Sequence, residues 1–233
     1  MYHSITFGDK NTWDNWHIVP SSRPVFNPPK QKKNTLDIQG GNGIIDLSES
    51  LTGYPVYNNR EGSFEFIVMN DYKPWQETYS DICDYIHGRK MKAVLEDDPH
   101  YYYEGRFSVN DWKSDKDWSK ITIDYNVSPY KTRKVDSKEV VTLTEGTISR
   151  TYTSKFYGKA PVCPIFNVQL ERGNAFSMQF YNSDLHLSVT KKVTNGRIQI
   201  PEIVFYGSSV QLYFLVPLSV SGMVTITCPY GRL

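Results

Sequence analysis

Apolar and polar positions alternate along most of this chain. Phe64, Phe66 and Val68 alternate with Glu65 and Ile67, and Ile121, Ile123, Tyr125 and Val127 alternate with Thr122, Asp124 and Asn126, which is the period of half-buried strands. Tyr101 to Val109 and Lys120 to Val127 flank a polar, turn-rich stretch from Asn110 to Ser119 and predict a long hairpin. Residues 75–86 break the pattern. Trp75, Tyr79, Ile82 and Ile86 recur at helical spacing, Pro74 suits the first turn, and Gly88 followed by Arg89-Lys90 ends the run, so one amphipathic helix is predicted there. Beyond residue 131 no helical period appears. Short strands at Ile148 to Tyr152, Ile165 to Leu170, Phe176 to Tyr181, Leu185 to Thr190, Val210 to Val216 and Met223 to Cys228 predict a β-sandwich. Asn195-Gly196, between Val193 and Ile198, is the strongest short hairpin signal in the chain. The fold class read from the pattern is mainly β.

Composition agrees: 17 Tyr, 11 Phe and frequent Val, Ile and Thr favour strands. The mean hydropathy is −0.49. No run approaches the ~18 uncharged apolar residues of a membrane-spanning helix. The start, MYHSITFGDK, lacks both a basic segment and an apolar one, so synthesis in a cytoplasm without a cleaved signal is expected. Cys83, Cys163 and Cys228 are odd in number and far apart, and read as reduced core thiols.

The formal net charge of +1 argues against a dedicated nucleic-acid binder. Its distribution is uneven: residues 1–130 hold 14 basic and 19 acidic side chains, residues 131–233 hold 12 and 6. All five tryptophans, Trp13, Trp16, Trp75, Trp112 and Trp118, fall in the first part. A polar, Pro-initiated segment from Pro129 to Asp136 follows a strong strand, so two domains are expected, 1–131 and 132–233.

Candidate chemistry is sparse. Gly40-Gly41-Asn42-Gly43 lacks both G-x-G-x-x-G and a Walker lysine, and reads as a turn. Glu96-Asp97-Asp98-Pro99 offers oxygen ligands for a hard cation but not the spacing of a known loop, and Asp-Pro favours a turn. His3, His17, His87, His100 and His186 show no metal-ligand spacing, and no serine or cysteine sits in a nucleophile motif. A paired-carboxylate glycosidase stays open in principle, but nothing singles out two of the 25 acidic residues. Tyr101-Tyr102-Tyr103 could stack bases or sugars, or serve as ordinary strand tyrosines. No catalytic, cofactor-binding or metal residue is therefore assigned. Pro20 to Lys33, with Pro20, Pro24, Pro28 and Pro29 before Lys30, Lys32 and Lys33, reads as an extended arm.

Taken in order, several stretches resemble the N-terminal domain of siphophage and prophage distal tail proteins, components of the tail hub. They are Ser21-Ser22-Arg23-Pro24 with Pro28-Pro29; Ile38-Gln39-Gly40-Gly41-Asn42-Gly43 leading to Asp46-Leu47; Leu51-Thr52-Gly53; and Arg60-Glu61-Gly62-Ser63-Phe64-Glu65-Phe66. Tyr85-Ile86-His87-Gly88, Leu95-Glu96-Asp97-Asp98-Pro99, Tyr102-Tyr103-Glu104-Gly105-Arg106 and Pro129-Tyr130-Lys131 complete the set. Past residue 131 the likeness rests on length and strand pattern. The resemblance implies an N-terminal split β-barrel-like domain with one α-helix and a C-terminal galectin-like β-sandwich. It also implies a homohexameric ring at the virion tail tip, joining tail tube protein to a tail-tip or tail-associated protein and to receptor-binding proteins. DNA would pass through the lumen, which the acidic first half could line, and no cofactor or membrane insertion is implied.

In such a ring the arm could clasp a neighbour, with Arg23, Pro24, Val25 and Phe26 as candidate interface residues, and deletion of Ser22 to Pro29 should then abolish rings without unfolding the monomer. Two other functions compete. A carbohydrate-binding module is one, although residues 131–233 hold no tryptophan, His186 lacks a downstream Asn-Pro-Arg, and only tyrosines such as Tyr206 or Tyr213 could stack a sugar. A wall-degrading hydrolase is the other, without a visible nucleophile or acid pair.

Overall fold

A computed structural model describes residues 3–69, 73–114 and 118–233. The protein is mainly β and forms two compact units: residues 1–34 with 56–134, and residues 35–55 with 135–233. The first unit therefore keeps the chain to Lys134, and the segment 35–55, which a linear reading leaves in the first domain, groups with the second. This division also changes the charge picture. The first unit carries 17 basic and 16 acidic side chains and the second nine of each, so the asymmetry of the two sequence halves belongs to the linear cut and not to the folded units.

The first unit begins with strands β1 (Ile5–Phe7) and β2 (Lys10–Asn11), the short helix α1 (Thr12–Trp16) and β3 (Ile18–Pro20). Five residues are too few for a periodic signal. The helix forms because the Asn11 side chain caps it, accepting from the backbone amides of Trp13 (2.9 Å) and Asp14 (3.3 Å). An excursion then carries the hairpin β4 (Thr35–Asp37) and β5 (Ile44–Asp46), closed over the glycine cluster at 40–43 as the turn reading anticipated. The chain returns as β6 (Arg60–Val68), α2 (Trp75–Ile86), β7 (Arg89–Leu95), β8 (Tyr101–Ser114), β9 (Ser119–Val127) and β10 (Lys131–Arg133).

The main sheet has the order β2-β1-β7-β8-β9-β6-β3 and is a curled half-barrel, with β10 added on β8. β8 and β9 form the predicted hairpin, but their ladder runs on to Ser114 opposite Ser119. Of the stretch read as its turn, residues 115–117 lie outside the described residues. The predicted helix is α2: Ile82 and Ile86 are fully buried against the sheet, and Gly88 ends it with φ 73°. The polar segment read as a connection is partly ordered strand, since Thr132 pairs with Tyr102 and Arg133 with Tyr101.

The second unit contains β11 (Ser137–Leu143), β12 (Gly146–Thr153), the four-residue helix α3 (Ser154–Tyr157), β13 (Ile165–Arg172), β14 (Ala175–Asn182), β15 (Leu187–Thr194), β16 (Gly196–Gln199), β17 (Ser209–Val216) and β18 (Ser221–Cys228). They make two four-stranded antiparallel sheets, β11-β18-β13-β16 and β12-β17-β14-β15, whose inner faces share one core. Helix α3 lies in the half where no helix was expected; Thr153 caps its start.

Asn195-Gly196 is not a hairpin turn. β15 pairs with β14 in one sheet and β16 with β13 in the other, so the chain changes sheets at this point. Gly196 supplies the positive φ of 125°, and the Asn195 side chain accepts from the backbone amide of Leu170 at 3.0 Å, which ties the crossing to β13. The residue types that favour a tight turn are used here for a corner.

Candidate interaction surface

The arm that follows β3 is a strap laid over its own unit. Ser21 donates its amide to the Glu65 carbonyl at 2.8 Å. From there the chain alternates: Arg23 and Val25 point outward, while Pro24 and Phe26 are buried. The Phe26 ring sits 4.0 Å from Tyr103, 4.8 Å from Tyr125 and 5.0 Å from Phe64, centroid to centroid, so it completes an aromatic core. The Tyr125 hydroxyl accepts from the Asn27 amide at 2.9 Å. Deleting Ser22 to Pro29 would thus remove a core side chain, and the expectation that the monomer survives that deletion fails on this geometry.

Arg60 explains how an irregular strand is held over a core. It is 5% exposed at the start of β6. Its guanidinium donates to the carbonyls of Pro129 (2.8 Å), Asn27 (2.9 Å) and Phe26 (3.4 Å), and it lies 5.5 Å from the Tyr103 ring. Carbonyls of a loop have no neighbouring strand to satisfy them, and the five-donor fork of arginine does so from one side chain. Burial pulls the guanidinium below its ordinary value, while Tyr103 and Tyr125 act to raise it. The sequence analysis did not single Arg60 out; its signal is a lone cation opening a strand whose next inward positions, Phe64 and Phe66, are aromatic.

The carboxylates at 96–98 are each engaged within the unit. Glu96 accepts from the Ser4 amide (2.8 Å) and hydroxyl (3.1 Å), Asp97 pairs with Arg23 (2.8 Å) and His3 (3.0 Å), and Asp98 with Lys131 (2.6 Å). The Arg23 partner, with His3 in support, holds the Asp97 carboxyl below the usual carboxylate range. Among the described residues no group of three or more His, Cys, Asp or Glu side chains is placed to hold a metal ion. Cys83, Cys163 and Cys228 are free thiols, and burial pushes Cys228 up to about 12.

The tyrosines considered as sugar platforms are occupied. Tyr206 packs on Tyr54 at 4.9 Å, and the Tyr213 hydroxyl donates to Gln211 at 2.7 Å. In the triplet, Tyr103 belongs to the core and Tyr102 and Tyr101 lie under Lys92 (4.2 Å) and Lys131 (4.8 Å).

Two exposed apolar surfaces among the described residues lie on β-hairpins. Trp112, 52% exposed, leans on Trp75 (5.9 Å) and Tyr79 (5.8 Å) at the far part of the β8–β9 hairpin. The other is the excursion 35–55. It leaves and re-enters the first unit through a neck in which Gln31 bridges Tyr57, Lys32 donates to the Val56 carbonyl (2.7 Å) and Asn58 to that of Lys30 (2.8 Å). Its strands β4 and β5 are exposed throughout, although they carry Leu36, Ile44 and Ile45, with Ile38 and Leu47 exposed beside them. The sequence reading stopped at the glycine turn, and a turn says nothing about whether the apolar residues on either side of it are covered.

Neither a protein-family model nor a curated protein sequence matches this chain. Among solved structures it is similar to the SPP1 Dit protein, presented as a paradigm of the hub adsorption apparatus in phages that infect Gram-positive bacteria. The likeness has a TM-score of 0.65 at 14% identity and covers 97% of this chain and 98% of that one. The chain therefore shares the fold of a distal tail protein of the phage hub.

Proposed function

We propose that this protein is a structural, non-catalytic component of a phage tail tip, part of the hub that carries the adsorption apparatus. The observation that supports it is the fold likeness to SPP1 Dit over both units. A β-sandwich alone recurs on many unrelated functions, whereas a curled sheet with its helix followed by a sandwich, matched end to end, is far more specific. In the finer reading six copies close into a ring through their first units, between tail tube protein and tail-tip protein, with DNA passing through the lumen. The second units then offer a mount for receptor-binding proteins. The protein would be made in the bacterial cytoplasm and act in the virion.

A ring built of one chain uses two different patches on each copy. Of the four candidate interface residues, Val25 faces outward, as does Arg23 in its pair with Asp97, whereas Pro24 and Phe26 are already spent in the core. The near-balanced charge of the first unit gives the expected acidic lumen no support. The test is the solution mass by light scattering across a wide concentration range, with negative-stain images of the largest species. A sixfold particle with a central hole is expected. A chain that stays monomeric at every concentration, and that forms no ring with its tail-tip partner added, sinks the reading.

A further inference from the structure

The exposed hairpin is an anomaly in the physics of this fold. An isolated two-stranded hairpin is at best marginally stable in water. This one presents Ile44 at 65% exposure, Leu36 at 52%, Ile38 at 47% and Ile45 at 43%. Leu36 stands opposite Ile45 on one face and Ile44 opposite Asp37 on the other, and exposed aliphatic surface of that kind marks a place where something docks.

Charge indicates what docks. The segment 35–55 contains Asp37, Asp46 and Glu49 and no basic residue. The arm just before it, 20–34, contains Arg23, Lys30, Lys32 and Lys33 and no acidic residue. Arg23 is paired with Asp97, whereas Lys30, Lys32 and Lys33 on one side, and Asp37 and Glu49 on the other, are exposed and form no ion pair among the described residues. Two exposed segments of opposite sign are electrostatically complementary, which steers one copy onto another and fixes the register.

A receiving groove also exists on the first unit. It has a volume of about 930 Å³, and its lining includes Pro28, Pro29, Lys30, Lys32 and Tyr57. Pro28, Pro29 and Tyr57 give the lining its apolar part, Asn27, Asn58, Asn59 and Asn126 its polar part, and the two lysines its positive charge. Glu61, also in the lining, already accepts from Asn126 at 2.7 Å.

We propose that the apolar, acidic hairpin β4–β5 of one copy docks in the basic, proline-lined groove of a second copy. The contact is heterologous, hairpin to groove, and repeats from copy to copy, which generates a ring where the rotation between copies closes. Burying aliphatic surface of one hairpin face supplies the affinity, and the paired charges set which face is chosen and in which register. This rests on the ring reading above, which it deepens by naming the two surfaces.

The experiment is a charge-exchange cycle on the full chain, read as mass by light scattering. Lys30→Glu with Lys32→Glu reverses the groove; Asp37→Lys with Glu49→Lys reverses the excursion that carries the hairpin and leaves the Asp46 side chain, which accepts from the Ser48 amide, untouched. Each reversal alone is expected to weaken assembly by about 100-fold or more, and both together to restore most of it. Ile44→Ser with Ile45→Ser should also weaken assembly, without the salt dependence of the charge variants. All positions are exposed, so monomer unfolding curves should not move. Rings that persist in both charge-reversed variants overturn this docking and leave the ring reading standing. A failure of the double reversal to restore assembly also overturns it. A wild-type chain that is monomeric throughout overturns both.

Discussion

In the second unit two sheets cover each other's apolar faces, and among the described residues Asn182 is its buried polar side chain. In the first, one curled sheet is closed by α2 and by the strap through Phe26, and Ser4, Thr12, Arg60, Thr78 and Ser119 are buried with the core. The difference follows from what does the covering. A strand brought over a core arrives with its amides and carbonyls paired by the next strand, whereas a proline-rich strap arrives with carbonyls unpaired, and buried donors must meet them. The second unit is thus held mainly by packing and the first by packing together with a few polar ties, and the two should break differently.

The largest effect is expected from Phe214→Ala, fully buried in β17: about 3–5 kcal/mol, with unfolding of the second unit at lower denaturant as the readout. Phe26→Ala removes a side chain of the same size from the first unit, but the strap can lift where a central strand cannot, so the loss should be smaller and local. New proteolytic cleavage near Lys30, with α2 still ordered by circular dichroism, is the expected signature. An uncut strap would contradict the contrast between the units.

Arg60→Met comes next, at about 1–3 kcal/mol, because three loop carbonyls lose their donor. Hydrogen exchange should speed up around Asn27 and Pro129 in the first unit and not at all in the sandwich. Equal acceleration in both would mean that Arg60 acts through something other than the strap.

The smallest effect is in acid. Asp97 is held below its ordinary value by Arg23 and His3, and Asp184 by the Ser208 amide and hydroxyl. Both carboxyls have depressed values in the folded chain, so their contribution is full above about pH 4, the unfolded value, and fades as pH falls through the folded ones. Thermal melts from neutral pH downward should show Asp97→Asn flattening this acid loss for the first unit and Asp184→Asn for the second. An unchanged slope in either variant removes that carboxylate from the account.

What could be read in advance follows the same division. The alternation of Ser209–Val216 is visible because every second side chain is buried, and the sandwich strands were legible for that reason. Which strand pairs with which is not written locally: Asn195-Gly196 has hairpin chemistry on both sides and still joins two different sheets. α1 and α3 are single turns made by caps and not by periodicity. The strap did carry a signal, since Pro24 and Phe26 alternate with Arg23 and Val25, but proline obscured it. Nothing in 35–55 announces that its apolar residues face outward, because a hydrophobic pattern records that a side chain wants cover and not who provides it.

The order of strands in the sandwich has a further consequence, for synthesis. β18 lies between β11 and β13, and β17 between β12 and β14, so the last long strands to be made are the central ones. Partners such as Val141 and Val224 are far apart in sequence, and such pairing is slow to close. β13 can pair with β16 and β14 with β15 early, but β11 and β12 find their partners only once β18 and β17 have been made. The seven strands of the main path in the first unit have no such wait, since β9 ends at Val127. The chain is therefore built to fold from its beginning, with the excursion 35–55 left waiting for the unit it belongs to.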